Sequence, residues 1–249
     1  MCCACLASCP QMALRIMYID CCLQLPDRHP TLNQTVMYNP SHFRVADSEA
    51  ISDLIRRHPL GLLISQSPEG VQASPIPFLY FPEEGEHGIL RAHMARANPH
   101  WKLLMADPAC LVVFQGEQGY ISPSWYASKA TTHQVVPTWN YVMAQMRGTL
   151  ATTDDADWLQ SQISALTRMQ ETGRPAPWQV TDAPADFIDR QKRAIVGLEI
   201  TVASIDGKWK LSQNRSQADL AGVIENLRQG DGLSDSQALA QAMQSREKT

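Results

Sequence analysis

The feature that most constrains the fold is a series of short strand patterns, separated by tight turns, between residues 60 and 151. Ser67-Pro-Glu-Gly70 has proline and glycine where a turn requires them, and it separates two of these patterns. The predicted strands cover residues 60–65, 71–81, 89–93, 110–114, 120–125 and 137–151, with one short helix inserted after Pro99. Many short strands around a single small helix predict an antiparallel barrel or sandwich.

Helical patterns flank this strand-rich region. Ser41 or Asp47 can begin a short helix that Pro59 ends. After residue 151, helices are predicted from about 153, over 184–193, after Ser216 and after Ser234. Residues 196–202 alternate as a strand, and Asp206-Gly207 predicts a hairpin that returns through residues 208–212. The predicted class is mostly β with helices, an α+β fold with helical additions at its C-terminus.

The cysteines divide the chain unevenly. Six of the seven lie within the first 22 residues, and only Cys110 lies in the remainder. A body with one cysteine has no internal disulfide framework, which predicts a reducing, cytoplasmic location. Residues 1–36 are interpreted as a metal-binding tail, a redox tail, or sequence translated from a start codon assigned too early, and the last is favoured. The predicted division is an extension over 1–36, which is disordered or mis-assigned, a domain over 37–243 and a tail over 244–249.

Composition excludes several classes of function. The net charge of −4 lacks the basic surplus of a protein that binds nucleic acid through many phosphates. No apolar run approaches the roughly 18 residues that span a bilayer, so no membrane role is expected. Phosphate-loop, dinucleotide-binding, zinc-protease and nucleophile-elbow motifs are absent, and no catalytic residue or metal site is predicted. The scattered histidines are expected at the surface or at helix caps: His42, His58, His87, His93, His100 and His133.

A segment rich in both aromatic and polar residues covers 120–129 and 136–141. Flat rings beside a few fixed donors suit a flat heteroaromatic ligand. The alternative is a β-hairpin whose rings pair across strands and pack on the core. Trp139 and Tyr141 share one face of their predicted strand, with Asn140 on the other.

Two further segments carry donors and positive charge. At 88–105, Arg91, His93 and Arg96 precede Asn98, the predicted cap of a helix, and this arrangement is typical of a phosphate cradle. The alternative is an ordinary cap beside solvated arginines. At 210–215, a strand end carries Lys210, Gln213 and Arg215, for which the alternative is a solvated strand end.

Five motifs resemble one known family. Met-Tyr-Asn-Pro-Ser-His-Phe at 37–43, His-Met-Ala-Arg-Ala-Asn-Pro at 93–99, Tyr-Ile-Ser-Pro-Ser-Trp-Tyr at 120–126, Val-Pro-Thr-Trp-Asn-Tyr at 136–141 and Lys-Leu-Ser-Gln-Asn-Arg at 210–215 occur in this order. From Met37 to about Met243 the chain resembles the PaiB family of FMN-binding negative transcriptional regulators. The resemblance implies an antiparallel split β-barrel of the flavin-reductase and pyridoxamine-phosphate-oxidase kind. It also implies a homodimer with FMN at the interface.

The resemblance and the chemistry of FMN together give a predicted cofactor site. His93, Arg96 and Asn98 are expected at the phosphate. Trp139 and Tyr141 are expected to border the ring or the ribityl chain, and Asn140 between them is included. The remaining members are Lys210, Gln213 and Arg215, which reach the flavin from the partner subunit or close the pocket, and Ser74, in the strand that runs beside the flavin.

The implied function is a flavin-dependent repressor. Promoter DNA is a weakly supported partner, because residues 216–249 carry more acidic than basic side chains. The alternatives are an FMN-dependent oxidoreductase that acts on a small molecule and a flavin-binding or haem-type module without turnover.

Overall fold

The computed structural model describes residues 37–230 and 236–247. The strands are β1 (Arg44–Val45), β2 (Leu60–Ser67), β3 (Gly70–Pro77), β4 (Leu79–Phe81), β5 (Ile89–Ala95), β6 (Ala109–Ile121), β7 (Thr138–Thr153) and β8 (Ile195–Lys210). The helices are α1 (Ser48–Arg57), α2 (His100–Ala106), α3 (Lys129–Thr132), α4 (Ala156–Glu171), α5 (Ala185–Arg193), α6 (Gln217–Gln229) and α7 (Ser236–Glu247). The predicted extension over residues 1–36 lies outside the described residues.

All eight strands form one antiparallel sheet in the order β3-β2-β6-β7-β8-β5-β4, with β1 paired to β8. The sheet curls until β3 approaches β5, but no ladder joins the two ends within the described residues. Alternating side chains of β2, β5, β6, β7 and β8 fill the interior, where Phe78 and Phe114 meet edge to face at 5.9 Å. The predicted mostly-β fold with helices is therefore confirmed as a split, unclosed barrel.

One long strand replaces two of the predicted ones. Residues 110–114 and 120–125 were predicted as separate strands, but β6 runs without a break to Ile121, and a 3-10 turn covers Pro123–Trp125. A bulge between Gln115 and Gln118 interrupts the register with β7 and then restores it. Gly116 lies in this bulge. A glycine suits this position because a Cβ there would come within 2.6 Å of the side chain of Leu54 in α1. The gap between the two predicted strands, residues 115–119, is therefore a bulge within one strand.

The hairpin predicted at Asp206-Gly207 is wrong. Both residues lie inside β8, which pairs with β7 from Thr153↔Gly197 to Tyr141↔Lys210. Asp206 forms an ion pair with Arg147 of β7 at 2.7 Å. Gly207 is required by a close approach, since a Cβ there would lie 2.6 Å from the carbonyl oxygen of Val45 in β1. Continuous pairing with the long strand β7 therefore outweighs the local turn preference of Asp206-Gly207.

The predicted helix caps are found, with one shift. Asp47 accepts a hydrogen bond from the amide of Glu49 at the start of α1, and Ser216 accepts one from Asp219 at the start of α6. Helix α2 begins one residue later than predicted, at His100, whose amide donates to Asn98 Oδ1 at 3.0 Å. Helices α6 and α7 pack on each other, and α7 also packs on β6. Helix α7 runs through Glu247, past the predicted domain boundary at residue 243.

The helices of the described residues are all too short or too polar to cross a membrane.

The close approach at Gly207 predicts a stability difference between two positions of β8. Gly207→Ala should lower the free energy of unfolding by about 1–3 kcal/mol, because the added methyl group has to displace the backbone of β1 or the ring of Trp209. Ala203→Val is the control, since Ala203 is exposed on the same strand. Urea unfolding at neutral pH measures both values. Equal stability of the two variants would contradict this account of Gly207.

Candidate functional site

The first group of predicted residues lies at the β5–α2 corner, defined here as residues 93–100. His93 is on β5 opposite Gly197 of β8. Its imidazole is half-buried, and burial lowers its pKa. Its Nδ1 atom is buried and has no hydrogen-bond partner among the described residues. A buried ring nitrogen without a partner is costly, so this atom is a candidate ligand-binding group.

Arg96 and Asn98 already have partners within the chain. The guanidinium of Arg96 donates to Asp154 Oδ1 at 2.6 Å and to the carbonyl oxygens of Ile195 and Arg193 at 2.8 and 3.1 Å. These bonds fix the corner against the start of β8. Because the side chain of Asn98 caps α2, both residues hold the shape of the corner around His93.

Ser74 contacts His100, a buried residue that the sequence analysis did not include in the site. Its hydroxyl lies 2.9 Å from Nδ1 of His100, whose Nε2 lies 2.8 Å from the hydroxyl of Ser65. The prediction of a surface or cap position for His100 is wrong, since the residue is fully buried inside the barrel. Burial lowers the pKa of this imidazole. The position of His100 two residues after Asn98 did not predict its burial, because only the curvature of β2 and β3 brings Ser65 and Ser74 to its imidazole.

The second group lies at the β7–β8 end, defined here as residues 138–141 and 208–215. Trp139 is 48% exposed and meets Tyr120 edge to face at 6.3 Å. Tyr141 is opposite Lys210. Asn140 points the other way, is fully buried, and donates to the hydroxyl of Ser212 at 2.9 Å. The rings thus pair across strands, as the hairpin alternative expected, while one edge of the aromatic pair stays open to solvent.

The last three predicted residues follow directly from the end of β8. Lys210 donates to Thr138 Oγ1 and to the carbonyl oxygen of Trp139. Burial, with help from Lys208 and Arg215, lowers the pKa of Lys210. Gln213 closes the turn by bonding the backbone of Leu211 and Trp209 at 2.8 and 2.6 Å.

Arg215 lies over the ring of Tyr126 at 4.7 Å. No hydrogen bond from its guanidinium to another described residue is found.

The two groups are at opposite ends of β8. His93 is opposite Gly197, whereas Tyr141 is opposite Lys210. At roughly 3.3 Å per residue, the strand between Gly197 and Lys210 covers about 40 Å. Measured along β8, this separation is longer than a flavin mononucleotide. A cleft of about 340 Å³ between α4 and the 3-10 turn at Val180–Asp182 contains none of the predicted residues.

The donors present fit a flavin mononucleotide. Its phosphate needs N–H donors and positive charge. The guanidinium of Arg215 offers both, and the unpartnered nitrogen of His93, whose pKa is lowered by burial, offers a neutral donor. Its ring needs the flat face of an aromatic side chain to stack on, and the exposed Trp139 offers one.

The open antiparallel barrel with helices is a split barrel. In fold it is similar to the structure of the FAD and heme binding protein from Mycobacterium smegmatis, with a TM-score of 0.51 and 19% identity. That similarity covers 72% of this chain and 78% of the other.

Sequence comparison then identifies the family. The model of the family described as "Putative FMN-binding domain" matches residues 37–204, and the chain belongs to that family. It is 32% identical to "Protease synthase and sporulation protein PAI 2" of Bacillus subtilis, over 77% of this chain and 89% of that protein. It is also 36% identical to the uncharacterized protein AN0679 of Emericella nidulans, over 77% and 91%. The predicted PaiB family is confirmed, and FMN is the cofactor of the matched domain.

The burial of His100 predicts a loss of stability in acid. Its folded pKa is below the ordinary value of about 6.5, so its contribution is complete above pH 6.5 and is lost as the pH falls through the folded pKa. Thermal unfolding between pH 8 and pH 5 should show a smaller acid-side loss of Tm for His100→Gln than for the unchanged protein.

His87→Gln is the control, because His87 lies in the exposed turn before β5. An unchanged acid-side loss in His100→Gln would show that His100 does not titrate on unfolding.

Proposed function

We propose that the protein is an FMN-binding homodimer that acts as a PaiB-type negative regulator of transcription. Each flavin lies between the β5–α2 corner of one copy and the β7–β8 end of its partner. The observation that carries this proposal is the separation of the two groups along β8. In this proposal, a second copy brings its β7–β8 end to the β5–α2 corner.

An exposed apolar face on β2 and β3 supports the second copy. Leu60, Leu62 and Val71 are 63%, 38% and 71% exposed, and all three point away from the barrel interior. Pro75 is opposite Leu62 and is also exposed. Apolar side chains clustered on adjacent strands are typical of a surface that another protein covers. The prolines of β3 keep this edge from extending the sheet, so the face is suited to packing.

The bound cofactor supplies reversible electron and hydride transfer. The residues of the chain bind and orient it: His93 offers a donor at the phosphate, Arg96 and Asn98 hold the corner, and the aromatic pair covers the ring. In this proposal the redox or occupancy state of the flavin is the input to regulation.

The relation to a sporulation and protease-synthesis protein supports a regulatory role. Direct DNA binding by α6 and α7 has less support. Helix α6 ends at Gln229 and α7 begins at Ser236, a longer connection than the three or four residues of a helix-turn-helix. The buried faces of both helices pack on the body of the protein: Val223, Ile224 and Leu227 of α6, and Leu239 and Met243 of α7. We therefore propose that regulation acts through a partner or through another surface of the dimer.

An FMN-dependent oxidoreductase is the second candidate. The observation that favours it is the open edge of the aromatic pair, where Trp139 and Tyr120 are 48% and 43% exposed. A small molecule could reach a flavin through this edge without displacing core residues. Hydride transfer by the flavin requires no dedicated protein base, consistent with the lack of a predicted one.

The proposed compartment is the cytoplasm. Cys110, the one cysteine of the described residues, is buried, and burial raises the pKa of its thiol to about 12. Such a thiol is protonated and unreactive, so the described residues contain no disulfide that an oxidising environment would maintain.

The dimer proposal predicts that one substitution prevents both dimer formation and flavin binding. The purified full chain should have the mass of a dimer by light scattering and a flavin absorbance spectrum. Leu62→Lys should give a monomer with flavin occupancy at least about tenfold lower, because a buried, unpaired charge at an interface costs several kcal/mol.

Phe187→Lys is the matched control, since Phe187 is 43% exposed on α5, away from this face. A flavin-loaded monomer would refute the shared site, and a dimeric Leu62→Lys variant would exclude this face as the interface.

The regulatory and enzymatic proposals predict different responses of the flavin-loaded protein. A regulator should change the electrophoretic mobility of DNA from upstream of its own gene, directly or with cell extract, and should do so differently with oxidised and reduced flavin. Direct binding should weaken steeply with added salt. An oxidoreductase should instead bleach its flavin spectrum when NADH or NADPH reduces it without air, and should turn over repeatedly once oxygen or another electron acceptor reoxidises the flavin. Turnover without any effect on DNA would reject the regulator.

A further inference from the structure

Three cations crowd the β7–β8 end without a carboxylate in contact. Lys208, Lys210 and Arg215 all lie within residues 208–215, and none of them is within 4.0 Å of an acidic oxygen of the described residues. Arg215 influences Asp219 electrostatically, but both carboxylate oxygens of Asp219 already accept hydrogen bonds from Ser128. Clustered positive charge that is partly removed from water is unfavourable unless an anion compensates it.

Two of these cations, Lys210 and Arg215, border a small polar cleft. The cleft has a volume of about 60 Å³ and is lined by Phe43, Thr138, Asn140, Lys210, Ser212, Asn214 and Arg215. All but Phe43 have a polar side chain, and two are cationic. A cleft of this size accommodates one compact polar group and no ring system.

Arg215 is oriented to bind a ligand at this cleft. Its guanidinium is stacked on the ring of Tyr126 at 4.7 Å, which restricts its position. None of the guanidinium N–H groups has a hydrogen-bond acceptor among the described residues. A planar, half-buried guanidinium with free donors matches the geometry of an oxyanion.

The floor of the cleft is rigid. Asn140 is fully buried, and its amide exchanges hydrogen bonds with the hydroxyl of Ser212 at 2.9 and 3.3 Å. Ser212 has a φ of 66°, in the left-handed region that non-glycine residues seldom adopt. Such strain is retained where surrounding contacts impose it, and it clusters at ligand sites. The helix α6 starts two residues after Arg215, so the positive end of its dipole adds to the field.

Lys210 is the second donor of the cleft. Two of its three N–H groups are used by Thr138 and the backbone of Trp139, which leaves one for a ligand. Its pKa is lowered by burial, then by Lys208 and Arg215, so an anion bound here would stabilise its charged form.

From this arrangement we infer that the cleft between Lys210 and Arg215 binds a tetrahedral oxyanion of the phosphate-monoester class. Arg215 supplies the planar pair of donors, Lys210 a point charge, and Ser212, Asn214 and Thr138 the surrounding polar groups. The anion has two possible sources, the phosphate of FMN itself or a separate phosphorylated ligand that binds beside the flavin. If it is the phosphate of FMN, the orientation of the flavin is opposite to that expected from His93, Arg96 and Asn98.

The inference rests on the proposed function only for the identity of the ligand. The cations, the cleft and the strained floor belong to one chain and do not depend on FMN or on a dimer.

The test uses inorganic phosphate as the probe. Calorimetric titration of the flavin-free full chain, at ionic strength held constant with chloride, should show saturable phosphate binding. Arg215→Gln should weaken it at least about tenfold, the effect of losing a charge-assisted pair of hydrogen bonds. Arg228→Gln is the matched control, because Arg228 is an exposed arginine on the adjoining α6, and its binding should be unchanged.

A second titration identifies the source of the anion. If FMN-loaded protein no longer binds phosphate, and Arg215→Gln weakens FMN but not riboflavin, the cleft holds the phosphate of FMN. If loaded protein binds phosphate as well as flavin-free protein does, the ligand is a separate phosphorylated molecule. Either result supports the oxyanion site, whereas failure of the protein to bind any flavin would reject only the proposed function.

Two outcomes would overturn the inference. One is phosphate binding no stronger than that of chloride, and the other is equal binding by Arg215→Gln and the unchanged protein. Arg215→Lys and Lys210→Met guard against misfolding of the first variant. The lysine variant should retain part of the affinity because it keeps the charge, and Lys210→Met should lose most of it. Circular dichroism verifies that each variant is folded.

Discussion

The structure depends on the uninterrupted pairing of β8 with β7. This ladder runs from Thr153↔Gly197 to Tyr141↔Lys210, and β8 also pairs with β5 near its start and with β1 near its end. One strand therefore positions both groups of candidate ligand-binding residues. A turn at Asp206-Gly207 would have folded the second group back toward the first. Because Gly207 passes against β1 and Asp206 pairs with Arg147, the strand continues and the two groups are held far apart.

This separation links the assembly of the protein to its chemistry. The β5–α2 corner offers an unpartnered nitrogen of His93 within a fixed frame, and the β7–β8 end offers exposed rings and uncompensated positive charge. The proposed homodimer brings them together, and the exposed apolar face of β2 and β3 is a surface on which that assembly can bury area. Phosphate binding at the cleft between Lys210 and Arg215 would show which of the two groups holds the phosphate of FMN.

Local patterns predicted much of this structure because their physical causes are local. Asp47 and Ser216 cap their helices through bonds to amides two and three residues away, and the strands predicted at 60–65 and 89–93 lie within β2 and β5. The errors arose where long-range pairing decided the outcome. Gly116 and Gly207 are compatible with a turn, a bulge or a close approach, and only their neighbours Leu54 and Val45 select between these. His100 is similar, because Ser65 and Ser74 lie on other strands.

The sequence by itself determined the family, the cofactor class, the mostly-β composition of the barrel and the identities of the candidate ligand-binding residues. Those features follow from residue types and short spacings, which a linear chain displays directly. Tertiary structure alone decided which of those residues are neighbours, which already have partners, and which remain available. Availability depends on contacts between strands and helices that are distant in the chain: Arg96 is occupied by Asp154 and the start of β8, whereas Arg215 is held by Tyr126 with its donors free.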